Sequence, residues 1–423
     1  MIQWTDRHWR YMFRYISRET LVYSEMVVDG TVIYNAHDLE PFIGHDDVEH
    51  PLALQLGGCD AGRVGEAAYS CERYAQWHSI NLNCGCPSNK AKRAGFGAEL
   101  MLDPVNTGII VKEMMRRVTH TDVTVKCRLG VLPGHDSFEE LQKFVREVTS
   151  AGCKTMIIHA RNVVLTGLSP AQNRSIPPLR YDDVHRLVEQ WPDVSFVLNG
   201  GLRTFEECEK HLGRSDMEPE EHPVVGCMVG REAYKNPWLF AEADSRFFGK
   251  TDPGMTRREA LEGYLDYCQR YAQKIIDRNE EREEQLAAAP HLDPTKDEEG
   301  LEGDGDRHCK VKKRGVFSMG ELIKPLHHFF SGCPTGQRVY KNRLEELLLR
   351  HAKAKEARKA GTEHLWNVGA GEGEEGTSGL RSQFVFDFTQ LEREESGELL
   401  VELVEEAVKT IPEEFLDAPP GGR

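Results

Sequence analysis

The sequence predicts an α/β fold, a (β/α)₈ barrel whose first strand is apparently truncated, followed by a smaller all-α domain. Two observations lead to this prediction. Short apolar segments alternate with amphipathic helical segments from Leu21 to Gly230, which is typical of parallel strands joined by helices. Polar residues or glycines follow most of the apolar segments, and a barrel builds its site at those strand ends.

Seven segments are predicted as strands because they are apolar throughout, as strands buried on both faces are. They cover residues 21–27, 52–57, 79–83, 123–129, 155–160, 195–199 and 224–230. A barrel needs eight strands. The first helix, from about Thr5 to Ser17, begins almost at Met1. We therefore expect most of the first strand to be missing from the sequence; an open seven-stranded sheet is the alternative.

The charge is unevenly distributed along the 423 residues. The formal net charge of -16 taken alone argues against a nucleic-acid partner. Acidic residues are concentrated in 277–308 and 362–423, however, whereas 307–355 holds twelve basic and three acidic residues. We predict a barrel at 1–250, a helical domain at 253–350 interrupted by an acidic disordered insertion at 277–308, and an acidic tail at 352–423 with a linker and a terminal helix.

The composition excludes several classes of protein. No run of 18 or more apolar residues is present, which excludes a membrane-spanning helix. The eleven cysteines form no CxxC pair, so a zinc finger or a disulfide scaffold is not predicted, and no metal site is expected. We expect a cytoplasmic monomer, or a plastid or mitochondrial protein if a transit peptide precedes this sequence.

The predicted strand ends supply the candidate site. They carry Gln55, Asn83, Cys86, Lys126, His159, the turn Asn199-Gly200-Gly201, and Gly230-Arg231. The two glycine turns open helices and let backbone N–H groups approach a phosphate. A lysine in a barrel mouth needs an anionic neighbour, and a reduced flavin ring is one such group. Gln55 and His159 are able to hydrogen-bond the same ring.

Cys86 differs from the other cysteines because it lies in the segment NCGCPS, directly after a strand. Gly85 and Pro87 shape a tight turn there, which turns the thiol toward the barrel mouth. Such a thiol serves as a nucleophile or as an acid. No Walker A, GxGxxG or HExxH motif accompanies it.

Taken together, the motifs resemble those of the tRNA-dihydrouridine synthases, and most of all the A branch of that family. They include TDRHWRYMFRYISR, INLNCGCPS, VTVKCRLG, GLSPAQNRSIPPL and VGREAYKNP. The resemblance is dense over 1–250 and looser over 253–350. It implies an FMN-binding barrel, a helical tRNA-binding domain, and NADPH as reductant. The implied reaction reduces uridines 20 and 20a of the tRNA D-loop, with hydride from reduced FMN to C6 and a proton from Cys86 to C5.

The resemblance also implies roles for individual residues. The implied FMN contacts are Met1, Ile2, Gln55, Lys126, His159, Asn199, Gly200, Gly201, Gly230 and Arg231. Asn83 would meet the substrate base, and Arg174 the RNA. Arg338 and Lys341 match tRNA-contacting positions, with Lys341 where arginine is more usual. Because the thiol has to stay protonated, we expect no strong cation beside Cys86.

Two other functions remain open from the sequence. One is an FMN-barrel oxidoreductase that acts on a free pyrimidine or on dihydroorotate. The other is a tRNA-binding relative that has lost its activity with the first strand. The basic residues of 307–355 and the GLSPAQNR segment favour a tRNA enzyme over both.

Overall fold

The computed structural model divides the chain into two compact units, Met1–Gly254 and Met255–Arg423. The structure describes residues 1–214, 220–288, 319–333, 335–359 and 398–418. Within these residues the first unit contains the β-strands, and the second unit is helical.

The first unit is built on parallel strands. They are β1 (Val22–Val28), β2 (Leu52–Gly57), β3 (Ser79–Cys84), β4 (Asp122–Arg128), β5 (Val131–Leu132), β6 (Thr155–His159), β7 (Val163–Val164), β8 (Ser195–Asn199) and β9 (Gly226–Met228). Seven of them form one sheet in the order β1-β2-β3-β4-β6-β8-β9, and β5 pairs with β7. The seven predicted strands and the parallel α/β architecture are thus confirmed. The β5-β7 pair was missed because two residues show no periodicity.

Sequential neighbours pair throughout the main sheet, which is the strand order of a barrel. Within the described residues, β1 and β9 each pair with one neighbour. The central strands are largely buried because the helices that follow them cover the outer face of the sheet, whereas the edge strands β1 and β9 are mostly half-buried.

The helices of the first unit alternate with its strands. They are α1 (Arg7–Phe13), α2 (Asp29–Tyr34), α3 (Glu40–Ile43), α4 (Ala61–Tyr74), α5 (Asn89–Arg93), α6 (Pro104–Arg117), α7 (Phe138–Ser150), α8 (Tyr181–Gln190), α9 (Phe205–His211), α10 (Arg231–Lys235) and α11 (Ala243–Phe248). Asp60, Ser137 and Thr204 begin α4, α7 and α9, each accepting a hydrogen bond from the backbone N–H three residues on. The side chains of these residues therefore set where three strand-to-helix turns end.

The TDRHWRYMFRYISR motif has a structural role in α1. Arg10 forms a buried ion pair with Glu49, at 2.6 Å between Nε and Oε2. The Arg14 guanidinium donates to backbone carbonyls, including those of Glu49 and Pro51. Removing either arginine would leave buried acceptors unsatisfied. The two arginines thus anchor α1 to the segment that leads into β2.

The second unit contains α12 (Arg257–Ala288), α13 (Met319–Ile323), α14 (Gln337–Lys359), α15 (Glu398–Val408) and α16 (Glu413–Leu416). Its core is aromatic and aliphatic: Tyr264 is fully buried and donates to the Leu322 carbonyl at 2.5 Å. Arg343 on α14 reaches Glu406 on α15 at 3.3 Å. In the described part of the chain, no helix combines the length and the hydrophobicity needed to cross a bilayer.

Two boundary predictions need correction. The expected disordered insertion at 277–308 begins inside a helix, because α12 continues to Ala288; the remainder, 289–308, lies outside the described residues. Among the described residues of α12 the buried apolar positions end at Ala272, and the charged part that follows has no apolar stripe from which the sequence could predict the end of the helix. The terminal helix predicted within the tail is present as α15, but it belongs to the compact second unit rather than to a separate tail.

Candidate active site

A cavity of about 570 Å³ opens at the C-terminal ends of the strands. Nine of the predicted site residues line it together: Met1, Lys126, His159, Arg174, Asn199, Gly200, Gly201, Gly230 and Arg231. Its volume is within the range of small-molecule and cofactor pockets. Residues that are far apart in the sequence but follow predicted strands thus lie together at one site.

The register of the sheet explains this convergence. Parallel pairing sets Asn83 opposite Lys126, at the ends of β3 and β4. His159 on β6 pairs with Arg128 on one side and with Asn199 on the other. Paired residues point to the same face of a sheet, and so do residues two apart on one strand. These five polar side chains consequently lie at two adjacent levels of the barrel mouth.

Lys126 lies at the centre of this group. Its ammonium donates to Asn199 Oδ1 at 3.1 Å, and Asn199 Nδ2 donates to the Met228 carbonyl at 2.7 Å. Burial, together with the nearby charge of Arg128, lowers the pKa of Lys126 to about 8. A charged lysine is therefore held here at an energetic cost, which an anionic ligand would relieve.

His159 is held neutral beside it. Burial, with the charges of Arg128 and Lys126, lowers the pKa of His159 well below its ordinary value. Its Nδ1 atom is buried and has no hydrogen-bond partner among the described residues. A buried imidazole nitrogen with unused hydrogen-bonding capacity points to a ligand group in the cavity.

The turn after β8 brings backbone close to the cavity. Gly200 and Gly201 have φ values of 113° and 79°, a region that favours glycine. A Cβ on Gly201 would lie 2.6 Å from Leu179 Cδ1 and 2.8 Å from the Tyr181 hydroxyl. That hydroxyl donates to the Gly200 carbonyl at 2.7 Å. The turn therefore tolerates only glycine at position 201.

The cavity wall is strongly positive. Four arginines, among them Arg174 and Arg231, and two lysines line it, against a single carboxylate from Glu232. Arg231 Nη2 donates to the Arg174 carbonyl at 3.2 Å, and Arg174 Nε is buried without a partner in the described chain. Helix α10 has only five residues, so the positive charge comes from side chains rather than from a helix dipole. Such a wall fits an anionic occupant.

The Cys86 turn adjoins the cavity at Gly85. Asn83 Oδ1 accepts hydrogen bonds from the N–H groups of Gly85 and Cys86, each at 3.0 Å. Asn83 Nδ2 donates to Gln55 Oε1 at 2.7 Å. Cys86 Sγ lies 3.4 Å from the Ser88 hydroxyl. Asn83, predicted to meet the base, thus also shapes the turn that carries the thiol.

The expectation that no strong cation lies beside Cys86 is wrong. Arg128 Nε donates at 3.1 Å to the carbonyl of Gly85, the residue before Cys86, and Arg174 lines the cavity that Gly85 also lines. The alternation of β4 is the reason, because it points Lys126 and Arg128 to the same side, toward the end of β3.

The comparison with known proteins settles the family. The dihydrouridine synthase (Dus) family model matches residues 1–299. The chain belongs to the dihydrouridine synthase family. The family resemblance of the motifs is thereby confirmed.

Curated members of the dihydrouridine synthase family are similar over most of their length. The tRNA-dihydrouridine(20/20a) synthase of Pseudomonas putida is 46% identical over 261 residues, which are 62% of this chain and 74% of that protein. The enzyme of the same name from Pseudomonas aeruginosa is 43% identical over 271 residues, 64% and 77% of the two chains. That of Escherichia coli K12 is 40% identical over 271 residues, 64% and 74%.

Among solved structures, the old yellow enzyme homologue of Zymomonas mobilis has a TM-score of 0.40 at 11% identity, covering 59% of this chain and 84% of that chain.

In this member of the dihydrouridine synthase family, the GLSPAQNR segment is held by Asn173. That side chain is fully buried, donates to the Val164 carbonyl at 2.9 Å and accepts from the Val164 N–H at 2.8 Å. Arg128 donates to the Asn173 carbonyl at 2.9 Å. Asn173 therefore fixes the loop, and Arg174 next to it faces the cavity.

Some functional residues were missed from the sequence. Arg128 lines the cavity, and its side chain bonds three carbonyls. Below the site, Gln55 Nε2 donates to Asn81 Oδ1 and Asn81 Nδ2 donates to Thr124 Oγ1, both at 2.9 Å. The signal was present as polar residues two apart in INLN and in KCR, which is the strand period.

Six predicted residues lie outside the cavity lining, four of them in the first unit. Gln55, Asn83 and Cys86 are joined to it through the Gly85 turn, whereas Ile2 is exposed over 57% of its surface. In the second unit, the other two predicted residues lie three positions apart on α14. Of these, Arg338 is exposed, and Lys341 lies 3.9 Å from Glu345.

Proposed function

We propose that this protein reduces uridine to 5,6-dihydrouridine in tRNA, at the positions 20 and 20a named for its relatives, with FMN as cofactor and NADPH as reductant. The observation that carries this proposal is the positive cavity at the strand ends, with an adjoining cysteine turn. The names of the 40–46% identical relatives support the substrate.

The residues of the cavity fit FMN. We infer that Arg231 and the backbone of Gly200, Gly201 and Gly230 hold its phosphate, because the Arg231 guanidinium is positively charged and the glycine N–H groups can donate hydrogen bonds. Lys126, and His159 through its unpartnered Nδ1, would contact the ring. The other proposed contacts are Asn199, Gln55, Met1 and Ile2.

The chemistry needs a proton donor on the protein. When bound, a reduced flavin supplies hydride to C6 of the uracil ring, and NADPH restores its reduced state. C5 then requires a proton, which we assign to the Cys86 thiol. Asn83 positions that thiol by holding the Gly85 and Cys86 N–H groups. Arg128 and Arg174 would stabilise the negative charge left on sulfur when the proton leaves.

The target uridine has to leave the tRNA stack to reach the cavity, since the site lies inside the barrel mouth. We propose that Asn83 meets the extruded base and that Arg174, whose Nε is unpartnered in the described chain, contacts the RNA. Arg338 and Lys341 on α14 would bind phosphates of the same tRNA.

The purified full-length chain with FMN, NADPH and unmodified tRNA tests this function by nucleoside analysis. We expect 5,6-dihydrouridine, and none when cytidine replaces uridine at positions 20 and 20a of the same tRNA. Reduction of free uracil or dihydroorotate as efficiently as tRNA would decide for a small-molecule oxidoreductase. Tight tRNA binding without bound flavin or product would decide for an inactive relative.

The proposed tRNA contacts of Arg338 and Lys341 on α14 can be tested by charge reversal. Arg338→Glu combined with Lys341→Glu is expected to weaken tRNA binding by roughly 10-fold or more and to lower its salt dependence, because phosphate contacts release counterions. Arg270→Glu with Lys274→Glu, an equal charge change on exposed α12 positions, is the matched control. Filter binding over a range of salt concentrations measures the two affinities. Equal losses of tRNA affinity in the two double variants would contradict tRNA binding by Arg338 and Lys341 on α14.

The glycine turn offers a second test. Gly201→Ala is expected to reduce FMN affinity by at least roughly 10-fold, because the added Cβ overlaps Leu179 and Tyr181 and displaces the turn. Gly134→Ala is the control: its φ is 92°, and nothing lies within 4 Å of its added Cβ. Fluorescence titration with FMN compares the two. A similar loss of FMN affinity in the two variants would show that backbone strain at a positive φ, rather than overlap with Leu179 and Tyr181, causes the effect.

A further inference from the structure

A cluster of ligand-type side chains lies apart from the cavity, among the outer helices of the first unit. His185 is on α8, His211 ends α9, and Glu220 follows in the chain. His185 Nε2 and His211 Nδ1 are 3.0 Å apart. Glu220 Oε1 lies 3.6 Å from each of these nitrogens. None of the three residues lines the cavity or enters the proposed mechanism.

We propose that His185, His211 and Glu220 form a binding site for a divalent transition-metal ion of the zinc type. A point equidistant from the three ligand atoms lies about 2.0 Å from each, which is the length of Zn–N and Zn–O bonds. An ion about 0.7 Å out of their plane would see three corners of a tetrahedron, with the fourth left for water. Two imidazoles and one carboxylate are a set that Zn²⁺ accepts.

The surroundings orient the first ligand. His185 Nδ1 lies 2.8 Å from the His222 carbonyl, which can only accept a hydrogen bond. That contact places the proton on Nδ1 and leaves the lone pair of Nε2 directed at the cluster. Histidine ligands of metals commonly donate their other N–H to a carbonyl in this way.

Burial and access also suit an ion. His185 and His211 are buried, so their positions are fixed by packing, whereas the Glu220 side chain is 26% exposed and leaves a path from solvent. The carboxylate supplies negative charge beside two neutral donors. This combination favours a divalent cation over an anion or a neutral ligand.

The site also has a structural consequence for the cavity. The His211 ring packs on Tyr181 at 4.5 Å between centroids, and the Tyr181 hydroxyl donates to the Gly200 carbonyl. An ion at the cluster would tie α8 to α9 behind the glycine turn. The sequence did not reveal the site because its ligands are 26 and 9 residues apart, outside any short metal motif.

Titration of the chelator-stripped full-length protein with Zn²⁺ alone, without FMN or tRNA, tests the proposal by calorimetry. We expect one equivalent to bind with a dissociation constant below ~1 μM and to raise the melting temperature. Co²⁺ bound at the site should show the strong visible absorption of a tetrahedral centre.

Glu220→Gln and His185→Gln should each weaken Zn²⁺ binding at least 10-fold, because changing even an outer-shell partner of a metal ligand typically costs about 10–100-fold in affinity. Because Glu220 is partly exposed, its variant should fold even if the His185 variant does not. His50→Gln is the control, since His45 and His50 form another ring-contact pair outside the cluster. Less than half an equivalent bound by wild type, unchanged binding in Glu220→Gln, or an equal loss in His50→Gln would each overturn the proposal.

Discussion

Cys86→Ser is expected to lower the rate of uridine reduction by at least ~10²-fold while FMN binding is retained. A hydroxyl is a far weaker acid than a thiol, and loss of a positioned proton donor typically costs 10²–10⁴-fold in rate. The thiol lies outside the cavity lining, so the cofactor contacts should persist. Single-turnover reduction of tRNA by the flavin-reduced enzyme measures the step directly.

The matched control is Cys59→Ser. Cys59 is also partly exposed and follows a neighbouring strand, β2, and its thiol donates to the Ala94 carbonyl. This variant should reduce tRNA at nearly the wild-type rate. In both variants the reduction of bound flavin by NADPH should be unchanged, because it needs no proton at C5. An active Cys86→Ser enzyme would remove Cys86 from the mechanism.

Lys126→Met is expected to have two opposite effects. It should abolish tRNA reduction and weaken FMN binding, since the ammonium lies in the cavity lining, where it donates to Asn199. It should also stabilise the protein without FMN by about 1–3 kcal/mol at pH 7, because a buried charge is replaced by an apolar chain of similar length. Loss of the hydrogen bond to Asn199 offsets part of this gain.

The lowered pKa of Lys126 determines how the stability of the folded protein changes with pH. The folded pKa of Lys126 is lowered to about 8, whereas an unfolded lysine titrates at about 10.4. Below pH 8 both states carry the proton, and the folded state bears the full cost of the buried charge. Between about pH 8 and 10 the folded lysine loses its proton first, so the cost disappears as pH rises. The stability difference between the variant and wild type should shrink over the same interval.

Urea unfolding of the FMN-free proteins at pH 7 and at pH 9.5 measures this difference. Lys143→Met is the control, because Lys143 is exposed and paired with Glu140 on the surface of α7. It should change stability little at either pH. A Lys126→Met protein that is less stable than wild type at pH 7 would show that the charged ammonium does not destabilise the folded protein.

Much of the first unit could be predicted from the sequence, since its strands are apolar runs bounded by glycines and polar residues. The segment LALQLG became β2 at the same residues, and SFVLN became β8. Parallel strands end at one side of a barrel, so the residues after them converge without any knowledge of contacts. This is why Lys126, His159 and the Asn199 turn were found together.

The residues that were missed depend on register and on packing between helices. Arg128 counts as a site residue only because β4 pairs with β3 and β6 in one register, which points it at the Gly85 turn. The boundaries of α12 and of the second unit also escaped prediction. Helical propensity continues past the charged start of the expected insertion, and membership of a compact unit depends on long-range packing.

The sequence by itself determined the parallel barrel architecture and the strand ends that build the site, because local apolar patterning encodes both, and its motifs indicated the family. Only the tertiary structure decided the electrostatic state of Lys126 and His159, since their pKa shifts arise from burial and from charges on other strands. It alone also brought His185, His211 and Glu220 together. These properties depend on distances between residues far apart in the chain, which no local pattern records.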